Sequence, residues 1–118
     1  MKSNLESRST HRRSLSRQAR DAFPPMGVYA IRDAVTARVT VGSSRDVHAR
    51  LNRIRFELRL GSHPDKSLQA TWRQNSAHVT FEVVDMIKQR TEADFDYAEE
   101  LRLLEQLHRE QLCGGETR

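Results

Sequence analysis

Two short runs, Gly27-Val28-Tyr29-Ala30-Ile31 and Arg38-Val39-Thr40-Val41-Gly42, are separated by so few residues that they read as one antiparallel hairpin. Asp33 to Thr36 supplies the turn. Everything after it must pack on that pair. Asp46 is placed as an N-cap, and Val47, Leu51, Ile54 and Leu58 then recur at helical spacing as one apolar face. Gly61 ends this helix and Pro64 prevents its continuation. A second short helix is expected from about Lys66 to Gln74, with Leu68 and Trp72 turned inward. Val79-Thr80-Phe81-Glu82-Val83-Val84 reads as a third strand. Asp94 to Leu112 reads as a last helix, its stripe made by Tyr97, Leu101, Leu104 and His108, widened by Leu103 and Leu107 and stopped by Gly114-Gly115. The order β-β-α-α-β-α predicts an α/β (α+β) fold: a small three-stranded, mostly antiparallel sheet flanked by helices. Trp72, Phe81, Val83 and Leu104 are expected in its core, and Trp72 reads as packing in preference to base stacking.

At 118 residues, 36% hydrophobic and 31% charged, the chain has material for one modest core. Residues 26–113 are the expected domain, after a basic, disordered tail (residues 1–25) and before a short tail (residues 114–118). Residues 1–22 are dominated by Ser and Arg and carry no apolar stripe. An unremarkable tail is the first reading; a basic arm on nucleic acid, a misassigned start and a transit-like peptide are the others. Phe23-Pro24-Pro25-Met26 closes it. No apolar run is long enough to span a bilayer, and the polar start suggests no secretory signal. Cys113, as the one cysteine, forms no internal disulfide, so a reducing, cytoplasmic setting is expected.

The net charge of +4 is unevenly spread. Residues 1–22 hold six Lys/Arg against Glu6 and Asp21, and residues 32–73 hold nine against four acids. Residues 82–118 reverse this, with five against ten. Such clustering implies a surface attractive to phosphate, although part of it is ordinary solvated helix. The general chemical motifs fail. The five glycines are dispersed, so no phosphate-cradling loop is present. His11, His48, His63, His78 and His108 are scattered and cannot build a zinc cluster with one cysteine, and Cys113 has no partner spaced for a thiol nucleophile.

A constellation remains. Gly27-Val28-Tyr29 is followed, ten residues on, by Thr40-Val41-Gly42 and then Ser43-Ser44-Arg45-Asp46, with Arg50 on the next helix. Gly61-Ser62-His63, Leu68-Gln69, Trp72, Phe81-Glu82-Val83 and Leu104-Glu105-Gln106 come after. This order and spacing resemble the GIY-YIG nuclease family from about Gly27 to Leu112. The resemblance implies hydrolysis of phosphodiesters, with DNA as the expected partner and no membrane. It implies one divalent ion, Mg²⁺ or Mn²⁺, on Glu105, with Arg50 meeting the scissile phosphate and Tyr29 helping to activate water. His63 matches a histidine of some relatives, and Ser43, Arg45, Arg53 and Lys66 are expected on the substrate path.

Each assignment has a plainer alternative. Glu105 borders the buried helix face, but with Glu99, Glu100 and Glu110 nearby a solvated glutamate is the plainer reading on spacing alone, and it is the resemblance that favours the metal role. Arg50 is one of several arginines on its helix, Tyr29 can be a core residue with its hydroxyl at the edge, and His63 before Pro64 fits a turn-stabilising role better. Two positions depart from the family pattern. Thr40 stands where the second motif half has Tyr, and Ile54 where some relatives carry a polar residue. Threonine cannot serve as a general base near neutral pH. The first expectation is therefore a metal-dependent endonuclease acting on DNA, weakened by Thr40 and Ile54, and the alternative is a catalytically inactive nucleic-acid-binding module on the same fold. A third, weaker reading is an interaction protein using its basic tail and acidic C-terminal helix.

Overall fold

The computed structural model describes residues 23–113. The expectations for the tail 1–22 and for Gly114-Gly115 lie outside the described residues.

Strands β1 (Gly27–Asp33) and β2 (Val39–Ser44) form the expected antiparallel hairpin, with Tyr29 opposite Gly42 and Ile31 opposite Thr40. Strand β2 extends through Ser43 and Ser44, which pair with Val28 and Gly27. Strand β3 (Val79–Met86) adds antiparallel to the other side of β1, so the order is β2-β1-β3. Because β1 is central and covered on both faces, its burial is nearly continuous and not alternating. A bulge interrupts the β1–β3 register between Val28 and Tyr29.

The hairpin turn is locked by Asp33, which is buried. Its Oδ1 accepts the backbone N–H groups of Val35 (2.9 Å) and Thr36 (3.1 Å), and its Oδ2 accepts the Thr71 hydroxyl at 2.8 Å. Burial alone would raise the Asp33 pKa, but the bonds from Thr36, Thr71 and Val35 outweigh it and hold it below the ordinary value.

Helix α1 (Val47–Leu60) is capped by the Asp46 carboxylate, which accepts from Ala49 N at 3.0 Å, and ends at Gly61, whose φ of 77° is left-handed. Its stripe, Val47, Leu51, Ile54 and Leu58, is buried against Tyr29 and Ile31. Helix α2 (Lys66–Gln74) is capped by Asp65 and contributes Leu68 to the same core. Trp72, Phe81 and Val83 sit at that core's margin and are half-buried, not enclosed. The reason is the short sheet: β3 is an edge strand, and α2 covers it incompletely.

Helix α3 (Tyr97–Cys113) begins three residues later than Asp94, where Asp96 accepts the Glu99 N–H at 3.0 Å. Leu101 is buried in a second, smaller cluster with Met26 and Ile87, flanked by Phe23, Tyr97 and the half-buried Leu104. Leu103 and Leu107, expected to widen the apolar stripe, face solvent, because the helix meets β2 through polar side chains. Phe23 stacks at 5.1 Å on Tyr97, and Pro25 accepts the Val47 N–H at 2.9 Å, so both are held by the domain. No described helix is long and apolar enough to cross a membrane.

Candidate active site

An edge strand leaves a row of backbone groups unpaired, and α3 covers the edge of β2. The contacts step in register. Ser43 Oγ donates to Glu105 Oε1 at 2.6 Å, Arg109 Nη2 donates to the Val41 carbonyl at 2.8 Å, and Cys113 Sγ donates to the Val39 carbonyl at 3.2 Å. Four helical residues advance about 6 Å and two strand residues about 6.6 Å, so successive turns meet alternate strand positions. This register carries Glu105 to the end of β2 where α1 begins. There the Glu105 carboxylate is also paired with Arg109 through Oε2.

Tyr29 arrives from the opposite direction. Its ring belongs to the core under α1, yet its hydroxyl lies against Gly42. A Cβ at position 42 would stand 2.4 Å from the Tyr29 hydroxyl and 2.5 Å from the ring carbon that bears it. The absent side chain is what lets the phenol cross the strand. The bulge falls immediately before Tyr29, a usual place for a device that re-aims a side chain. Burial pushes the Tyr29 pKa above its ordinary value. The Arg50 guanidinium opposes that shift, the Glu105 charge adds to it, and Arg109 opposes it. All three charged groups therefore lie within electrostatic reach of one phenol.

Arg50, on the exposed side of the first turns of α1, lines two clefts. One, of about 550 Å³, is bounded by Ser43, Ser44, Arg45, Arg102 and Glu105. The other, of about 630 Å³, is bounded by Tyr29, Thr40, Arg53, Ile54, Glu57 and His63. Of the residues read from sequence, Tyr29, Arg50, Glu105, Ser43, Arg45, Arg53 and His63 thus border this pair of clefts. Lys66 does not: it is exposed at the first residue of α2 and lines neither.

His63 is held in its turn. Its Nδ1 accepts the Asp65 N–H at 3.1 Å, and its own N–H reaches Gln69 Oε1 at 3.1 Å. With Nδ1 accepting, the proton of the neutral ring sits on Nε2, which makes the free nitrogen a donor. Thr40 lines the same cleft and supplies no base, and Ile54 extends the α1 stripe as its place in the pattern requires.

Two residues at the site, Arg109 and Arg102, escaped the reading of the sequence, and Gln69 entered it only as part of the family pattern. Arg109 holds Glu105, and its i,i+4 spacing from that glutamate was the available signal. Arg102 lines the cleft beside Glu105, though it is paired with Glu99 at 2.7 Å. Gln69 donates to the Leu58 carbonyl at 2.9 Å and so ties the His63 turn to the end of α1.

Among the described residues, no three His, Cys, Asp or Glu side chains group as metal ligands. Glu105 would stand as a single carboxylate with the Ser43 hydroxyl beside it. That donor set fits a hard divalent ion that keeps most of its shell as water or phosphate oxygen, and does not fit zinc.

No protein family matches this chain by sequence, and no curated protein does. Solved structures do. A mutant form of the catalytic domain of the intron endonuclease I-TevI superposes with a TM-score of 0.57 at 19% identity, over 75% of this chain and 84% of that one. Another structure, of the catalytic domain of the homing endonuclease I-TevI, gives 0.54 at 20% identity over 74% and 87%. I-TevI is a GIY-YIG homing endonuclease. With the element order β-β-α-α-β-α and the antiparallel sheet in common, this chain has the GIY-YIG catalytic-domain fold in a divergent sequence.

Proposed function

We propose that this protein is an endonuclease that hydrolyses phosphodiester bonds of DNA with the help of one divalent ion, Mg²⁺ or Mn²⁺. One observation carries the reading: Arg50 from α1 lines both the cleft of Tyr29 from β1 and the cleft of Glu105 from α3, and those two residues lie against the neighbouring β2 positions Gly42 and Ser43. Arg50 and Arg45 offer guanidinium donors to the phosphate oxygens, with Ser43 and Arg53 on the path of the substrate strand. Glu105 is the ion's protein ligand, and the bound ion would supply positive charge for the phosphorane-like charge of the transition state. Burial pushes the Tyr29 pKa above its ordinary value, and Tyr29 helps to activate the attacking water through its hydroxyl. His63 Nε2–H is a further donor to a phosphate oxygen. The lone thiol suits a reducing compartment, and we place the protein in the cytoplasm.

The test is nicking of supercoiled plasmid in Mg²⁺ or Mn²⁺, with Glu105→Ala as the comparison. Nicking that falls about a thousandfold in the variant supports the reading; equal rates end it. A second reading rests on Thr40, which leaves the cleft without a second phenol: a binding module without turnover on the same fold. It predicts DNA affinity that falls steeply with salt and is indifferent to metal.

A further inference from the structure

The Glu105 carboxylate is already partnered. Ser43 occupies Oε1 and Arg109 occupies Oε2, while the same Arg109 nitrogen holds the Val41 carbonyl of the strand edge. Arg109 is thus pinned at two points, one on its own helix and one on β2. It is not a swinging surface arginine whose pairing costs nothing to break. The Glu105 side chain is one quarter exposed and that of Arg109 about one half, so solvent screens the pair from the arginine side only.

From this clamp we infer that Arg109 is the resident counter-cation of Glu105, a positioning residue that presents the carboxylate at the β2 edge and competes with the divalent ion for it. The inference rests on the reading of Glu105 as the ion's ligand. A carboxylate has more lone-pair sites than Ser43 and Arg109 use, so an ion can reach it with the clamp in place. An ion held there would share the carboxylate with the Arg109 guanidinium, and the two like charges would repel. If the guanidinium moves aside instead, the ion's binding has to include the loss of both Arg109 bonds. Either way the charge at position 109 weakens ion binding by the protein alone. The phosphate of a substrate brings negative charge into the arginine-lined cleft and relieves that repulsion, so ion and nucleic acid are expected to bind cooperatively.

The experiment measures Mn²⁺ binding to the full chain, without nucleic acid, by the enhancement of water proton relaxation. Arg109→Gln keeps an amide that can bond the Val41 carbonyl but removes the charge; it should bind Mn²⁺ roughly tenfold tighter than the unaltered protein. Arg109→Lys keeps the charge and should stay close to the unaltered protein, which separates charge from shape. Thermal melts of both variants establish that they are folded. Affinity that is unchanged or weaker in a folded Arg109→Gln protein overturns the inference. Glu105→Gln distinguishes the two levels of the argument. If it abolishes the site while Arg109→Gln fails to tighten it, only the role of Arg109 is lost. If Mn²⁺ binds equally well to Glu105→Gln, or binds to none of the proteins at ten-millimolar ion, the reading of Glu105 itself falls.

Discussion

Helix α1 turns four buried residues toward the sheet, Val47, Leu51, Ile54 and Leu58, whereas α3 has one, Leu101. Both helices border the cleft that holds Arg50 and Glu105. They are fastened differently. On α1 the attachment is an apolar stripe, and the exposed cationic groups Arg50 and Arg53 stand outside it, Arg50 at its margin. On α3 the attachment to β2 is a ladder of polar contacts, and one rung of it is the candidate metal ligand itself. In α1, holding the helix and meeting the substrate are tasks of different residues. In α3 the rung at Glu105 does both, so a substitution at that rung cannot alter stability without touching the site.

The sharpest way to break this contrast is to truncate each helix at its anchor. Leu58 is 1% exposed, and Leu58→Ala should cost about 3–4 kcal/mol, toward the upper part of the range for buried leucines. Leu101 lies in the smaller cluster, and Leu101→Ala should cost about 2–3 kcal/mol. Urea unfolding measures both. Nicking per folded molecule should stay within about twofold for Leu58→Ala, since Arg50 lies about two helical turns away. Equal costs for the two truncations would mean that α3 is anchored as firmly by apolar contact as α1, and the distinction would be gone.

Next in size is Gly42→Ala, which probes the strand between the two helices. The added methyl would overlap the Tyr29 hydroxyl and ring, so either the phenol or the β2 edge has to move. Overpacking of this kind costs about 1–3 kcal/mol. A misplaced Tyr29 should lower nicking by about a hundredfold, a loss well beyond what the stability change explains. A variant that nicks normally would remove Tyr29 from the site and leave it as a core residue.

The same contrast sets what could be read from sequence. The α1 stripe, its Asp46 cap and its Gly61 stop are periodic or local signals, and the helix lies where they put it. Helix α3 was read with the same apolar rule, which recruited Leu103 and Leu107 although both face solvent. Its real registration comes from side chains bonding to backbone carbonyls of β2, and hydrophobic patterning carries no trace of such bonds. Tyr29, Arg50 and Glu105 were legible as candidates through the family pattern. That Tyr29 reaches the β2 edge across Gly42 follows only once the register pairs those two residues. Asp33 was read as a turn residue, but its bond to Thr71 needs α2 packed over the hairpin before it exists. Lys66 shows the converse: a basic residue in a basic stretch that faces neither cleft.

The smallest effects test whether the ladder on α3 is graded from its functional end. Ser43 donates to an ionised carboxylate at 2.6 Å, a charge-assisted bond, and Ser43→Ala should cost about 1–2 kcal/mol. It should also free Glu105 on one side and lower nicking by about tenfold. At the other end, Cys113 offers only a thiol to the Val39 carbonyl, and Cys113→Ala should cost about 0.5 kcal/mol or less. Nicking should not change, because Cys113 is two helical turns from Glu105 and borders neither cleft. The pair is informative because the two residues lie on the same helix–strand seam and differ in the strength of the bond. If Cys113→Ala proved as costly as Ser43→Ala, the seam would be held evenly along its length. The rung at Glu105 would then carry no more than its share, and attachment and chemistry would be separable on α3 as they are on α1.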